Sequence, residues 1–147
     1  MIKKIIFKDI IFNNFDHKNF SKIIIKKGLF VFPSGPGLGS INSSKEYFIS
    51  LKKADLVFFD SGFFVLLLKF FKNIKVTKFS GYKFLELFFV YLNKNKNKKV
   101  FCIDPNQKFS KSNKIFLKYL GVKKTYHYLA PQFHNNKIFD EHLLKKI

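Results

Sequence analysis

The sequence contains no arginine: all 28 of its basic residues are lysine, against 9 Asp and Glu, for a formal net charge of +19. So large an excess would ordinarily point to a polyanionic partner. The missing arginine weakens that inference. A chain rich in Lys, Asn, Ile and Phe fits an AT-rich coding sequence, and exposed lysine also keeps an apolar domain soluble. With a single cysteine, Cys102, no internal disulfide can form. Cys102 lies in the apolar segment KKVFCID and is expected to be a small core residue of a buried strand. The longest uninterrupted apolar run, Phe63 to Leu68, is far below the roughly 20 residues that span a bilayer. At the N-terminus, Lys3, Lys4, Lys8 and Asp9 interrupt any signal-like run. The expectation is a cytoplasmic protein whose membrane association, if any, is peripheral. A chain of 147 residues fits one domain able to bury a core without staples.

What is present reads as alternating strand and helix. Ile2 to Phe7 and Ile10 to Phe15 predict two strands or a hairpin, so that residues 1–27 lead into an α/β core over 28–147. GLFVF predicts a strand that stops at Pro33-Ser34-Gly35-Pro36-Gly37, a cluster read as a turn. From Leu38 to Lys53 the apolar positions Ile41, Tyr47, Phe48 and Leu51 approximate a helical period, with Asn42, Ser43 and Ser44 marking an N-cap. Leu56 to Phe59 predicts a strand. Phe63 to Phe71 is apolar on all sides and suits a helix buried beneath the sheet. A further helix is expected from Gly81, a polar loop at NKNKNKK, and a strand at Val100 to Ile103. Beyond them come a helix from Ser110 to Leu120 stopped by Gly121, a strand at Tyr126 to Leu129, and a last helix capped by Asp140. The fold class expected is α/β, a mainly parallel sheet sandwiched by helices.

Ligands of open α/β sheets bind beyond the carboxyl ends of the strands. Ser34 to Gly37, Asp60 to Gly62, and Asp104 with Asn106 are therefore the candidate site walls. Asp60 has a plain alternative role as a cap of the next helix. Gly35, Gly37 and Gly39 could form a backbone nest for phosphate, although the dinucleotide fingerprint and the Walker loop both fail for want of their later residues. His17, His127, His134 and His142 lack metal-ligand spacing and are expected as ordinary surface or loop residues, with no metal. Ser61-Gly62 lacks the first glycine of a serine-hydrolase elbow.

Taken in order, FPSGPGL, then ADLV followed by Asp60-Ser61-Gly62, then Lys78, Ser80 and Gly81, and finally Tyr128-Leu129-Ala130-Pro131, resemble the WecG/TagA/CpsF glycosyltransferases, family 26 of that class. The likeness runs from about Phe30 to the end of the chain. It implies a Rossmann-like domain that moves an N-acetylhexosamine-type sugar from a UDP donor to a polyprenyl-diphosphate-linked acceptor in cell-envelope polysaccharide synthesis. Inversion at the sugar, no cofactor and no obligatory metal are implied with it. By position Asp60 would be the general base, and Ser34, Gly35, Ser61, Gly62, Lys78, Ser80 and Gly81 would bind substrate. Lys78 would neutralise diphosphate charge as a point charge without the fork of Arg.

Phe32, Ser34 and Ser61 depart from the better-known branch, so the sugar is not transferred with the likeness. The family continues beyond Leu143-Leu144-Lys145-Lys146-Ile147 with another strand and a Gly-rich, Gln-containing loop, so the chain is expected to be C-terminally incomplete, a fragment or a shortened member that completes its site with a partner. The partners implied are the two substrates and the inner face of the plasma membrane, with no nucleic acid and with self-association left open. The competing readings are a non-catalytic basic binding module for nucleic acid or membrane, resting on charge, and a degenerate partner of a full-length paralogue.

Overall fold

The computed structural model describes residues 2–132 and 139–147, in two compact units, Met1–Phe88 and Phe89–Ile147. The first unit opens with a hairpin of β1 (Lys3–Phe7) and β2 (Ile10–Asn14). Phe7 pairs with Ile10, which leaves Lys8 and Asp9 as a loop of two residues, both at positive φ (47° and 59°). A loop this short needs that left-handed pair to match the twist of the strands. β3 (Phe30–Val31) and β4 (Leu56–Phe58) complete a sheet of order β1-β2-β4-β3, in which β4 pairs parallel with both neighbours and only β1 and β2 are antiparallel.

β4 is buried on both faces, and for that reason its sequence is an unbroken apolar run. Strand alternation sends Val57 and Phe59 into one core and Leu56 and Phe58 into the other. The first core packs Phe12, Ile41, Leu51, Phe64 and Leu68 beneath α2 (Gly35–Gly39), α3 (Lys45–Lys53) and α4 (Gly62–Lys72). The second packs Phe15, Ile23 and Phe79 with Phe84 and Leu87, beneath α1 (Phe20–Ile24) and the start of α5 (Gly81–Lys94). Helices thus flank a mixed, mostly parallel sheet on both faces. Phenylalanine supplies much of the packing: Phe58 meets Phe15, Phe32 and Phe79 at ring-centroid distances of 5.6, 4.9 and 5.2 Å. Each such ring contributes roughly 1.5–3 kcal/mol by leaving water.

Two expectations are corrected in this unit. The Pro33–Gly37 cluster is not simply a turn: Gly35–Gly39 is a short helix, because Ser34 Oγ accepts from Gly37 N at 3.3 Å and Pro36 occupies the first turn, where its missing N–H costs nothing. Gly37 N is thereby occupied, and the glycines form a helical turn instead of a phosphate nest. The 63–71 segment is a helix but is not buried all round; only Phe64 and Leu68 of α4 are in the core, while Phe63, Leu66, Phe70 and Phe71 are exposed.

Ahead of β3, Gly28 has φ +141°, and a Cβ there would lie 2.5 Å from Asp55 Oδ2, the atom that accepts from Leu29 N at 2.7 Å. Gly28→Ala is expected to cost about 1–3 kcal/mol in a urea titration, through left-handed strain and loss of that hydrogen bond.

The second unit is a βαβ element. β5 (Lys99–Asp104) and β6 (Lys124–Leu129) pair in parallel, connected by α6 (Gln107–Tyr119), and α7 (Glu141–Leu144) follows. Asn106 caps α6 by accepting from Phe109 N at 3.1 Å, and Gly121, at φ +77°, ends it. Asp140 caps α7, accepting from Leu143 N at 3.0 Å. No helix among the described residues is long and apolar enough to cross a membrane.

Candidate active site

Because β3 and β4 run parallel, both deliver their following loops to the same edge of the sheet. Ser34 and Gly35 follow β3, and Asp60, Ser61 and Gly62 follow β4. A third segment is tied alongside: Phe79 N donates to Phe59 O at 2.9 Å, and Thr77 N to Asn14 Oδ1 at 2.8 Å. These bonds bring Lys78, Ser80 and Gly81 to the edge that the two loops occupy.

The contacts there are close. A Cβ at Gly35 would lie 3.2 Å from Ser61 Oγ, and one at Gly62 would lie 3.7 Å from Lys78 Nζ. Asp60 Oδ1 accepts from Gly81 N at 3.0 Å. Asp60 therefore does cap a helix, but it is α5 and not the next helix; α4 is capped by Ser61, whose Oγ accepts from Phe64 N at 3.2 Å. Oδ2 of Asp60 has no partner among the described residues. Ser34, Ser61 and Ser80 each accept from a backbone N–H of the turn that follows them, so each hydroxyl keeps its own proton to donate to a ligand.

The electrostatics favour an anion. The N-termini of α4 and α5 meet around the Asp60–Gly62 turn with their partial positive ends, and Lys78 extends to the first residue of α4. A cation at the positive end of a helix is unfavourable by roughly 0.3–1 kcal/mol when alone. A phosphate group placed between them reverses that sign. Ser34, Gly35, Asp60, Ser61, Gly62, Lys78, Ser80 and Gly81, the residues to which the resemblance gives a role, thus lie along this one edge, whereas Asp104 and Asn106 belong to the second unit.

The second unit holds a cluster that the sequence reading missed. Asp104 is 1% exposed and does not line a site wall. Its carboxylate meets His127 Nδ1 at 2.7 Å and Asn113 Nδ2 at 2.6 Å. Burial pushes the Asp104 carboxyl up, but the side-chain hydrogen bonds of Asn113, His127 and Ser110 outweigh it and hold the group below the usual carboxylate range. His127 is no surface residue: its side chain is 5% exposed, and its Nε2 is buried without a hydrogen-bond partner. Cys102 is half-buried instead of deep in a core, and burial together with the Asp104 charge raises its thiol. Cys102, Asp104 and His127 bring ligand-type atoms within 4.8 Å of one another, yet both oxygens of Asp104 are already engaged by Asn113 and His127. The parallel register sets Cys102 opposite His127, a fact that residue spacing in sequence does not carry. His134 falls outside the described residues.

Comparison with protein-family models, curated proteins and solved structures found no match.

Proposed function

We propose that the chain is a UDP-sugar-dependent glycosyltransferase domain of the WecG/TagA/CpsF type, with a Rossmann-like fold. It transfers an N-acetylhexosamine-type sugar to a polyprenyl-diphosphate-linked acceptor at the inner face of the plasma membrane. The observation that carries this reading is the gathering of Asp60, the capping serines, Lys78 and two helix N-termini at the carboxyl edge of β3 and β4.

In this reading the donor diphosphate lies against the α4 and α5 N-termini and Lys78. An acceptor hydroxyl attacks the anomeric carbon while Asp60 Oδ2 takes its proton. The bond from that carbon to the diphosphate oxygen breaks, and the charge that develops on UDP is met by Lys78 and the helix ends. Gly81 N, bound to Oδ1, fixes the carboxylate so that Oδ2 faces the hydroxyl. A general base must lie within hydrogen-bond reach of the proton it takes.

Incubation of the folded chain with a UDP-N-acetylhexosamine and a lipid-diphosphate-linked sugar should give, by mass spectrometry, an acceptor heavier by one hexosamine together with free UDP. Release of UDP without acceptor gain, or neither product, contradicts the reading. Lys78→Met is expected to weaken UDP binding about tenfold, an effect that shrinks as salt rises.

A further inference from the structure

The α4 helix buries one side and turns an apolar stripe outward on the other. Phe64 and Leu68 point into the core, whereas Phe63, Leu66 and Phe70, spaced i, i+3 and i+7, share the opposite face. Phe63 is 69%, Phe70 74% and the adjoining Phe71 79% exposed. A contiguous apolar face of this kind marks an interaction surface, since scattered single residues would not line up on one side of a helix.

Beside the stripe, a groove of about 390 Å³ runs between the β1–β2 loop, α2 and α4. Phe7, Leu38, Leu67 and Phe71 line it with Lys8 and Lys72, and it reaches Gly35 and Ser61. Lys69 borders the stripe, Lys72 stands with it in the last turn of α4, and the helix carries no acidic residue.

The charge decides what covers this face. A second copy would set lysine against lysine in a chain of net charge +19. An anionic surface would be attracted by the same lysines while the aromatic rings leave water. We infer that α4 is a bilayer-docking helix: its Phe63–Leu66–Phe70 stripe lies among the headgroups of an anionic membrane, with Lys8, Lys69 and Lys72 against lipid phosphates. Ser61 and Gly62 begin this helix, so docking would hold the edge where they lie beside the membrane surface. The inference stands on the exposed face and its flanking charge, and does not require the transferase reading.

Sedimentation of the full chain with phosphatidylcholine vesicles, with and without phosphatidylglycerol, tests it. Binding is expected only with the anionic lipid, and the double variant Phe63→Ser/Phe70→Ser, which leaves the charge unchanged, should bind at least about tenfold more weakly. Failure of the parent chain to bind, or binding unaltered in the variant, overturns the inference. So does a parent that is dimeric in light scattering where the variant is monomeric, with no vesicle binding. The sequence has no tryptophan, so Phe70→Trp supplies a single reporter that also preserves the apolar face. Its emission should shift to the blue on adding anionic vesicles, while that of Tyr119→Trp, on exposed α6 in the other unit, should not. Equal shifts at both positions would indicate adhesion through charge alone and overturn the assignment of α4.

Discussion

Replacement of Asp60 by Asn is expected to lower the rate of sugar transfer by about 10²- to 10⁴-fold while UDP-sugar affinity stays within a fewfold. The asymmetry follows from how the two carboxylate oxygens are used. Oδ1 is a structural acceptor for Gly81 N at 3.0 Å, a role that the Asn carbonyl takes over unchanged. Oδ2 is the free oxygen assigned to the proton, and the Asn amide placed there offers hydrogen to the acceptor hydroxyl and takes none. Fold and donor site should therefore survive. Asp60→Ala is the informative companion, because it also releases Gly81 N and should loosen the start of α5 by roughly 1 kcal/mol or more. Initial rates and calorimetric affinities for the two variants separate base from cap: equal loss of binding and transfer in Asp60→Asn would make Asp60 structural.

Removing the Asp104 carboxylate is expected to destabilise the second unit by about 3–5 kcal/mol, more than any surface change in the chain. Asp104→Ala leaves the hydrogen-bond donors of Asn113, Ser110 and His127 facing one another at a buried position where one anion had satisfied them. The Asp104 carboxyl titrates lower in the folded chain than in the unfolded one, so the unfolded state binds the extra proton on acidification. The contribution is thus fully present above the unfolded value of about 3.9 and is lost as pH falls through the lowered folded value. Amide protection along β5 and β6, taken relative to the intrinsic exchange rate at each pH, should fall in Asp104→Ala at neutral pH, and in the parent chain only below about pH 4. Exchange in β5 and β6 that is the same in both would mean the network is not a support of this unit.

The contrast between these two aspartates explains what could be read from the sequence. The place of Asp60 at the sheet edge was legible because it follows a strand buried on both faces, and parallel neighbours necessarily bring their loops to one edge. Asp104 also ends a strand, and its sequence context resembles that of Asp60. Its inward direction depends on the β5–β6 register, which sets Cys102 opposite His127, and on Asn113 nine residues away on α6. Neither appears as a motif. Turn chemistry misled at Pro33–Gly37, where one serine cap and a proline in the first turn were enough to make a helix of a glycine-rich stretch. In α4, apolar residues at nearly every position erased the periodicity that would have told the core face from the exposed one.

The reading of this chain as a sugar-nucleotide transferase is tested most directly by calorimetric titration of the purified, folded chain with UDP and a UDP-N-acetylhexosamine at physiological salt. Saturable one-to-one binding, weakened by Lys78→Met and spared by Asp60→Asn, is the predicted result. A folded chain that takes up neither ligand, or one whose binding is indifferent to Lys78, would contradict it.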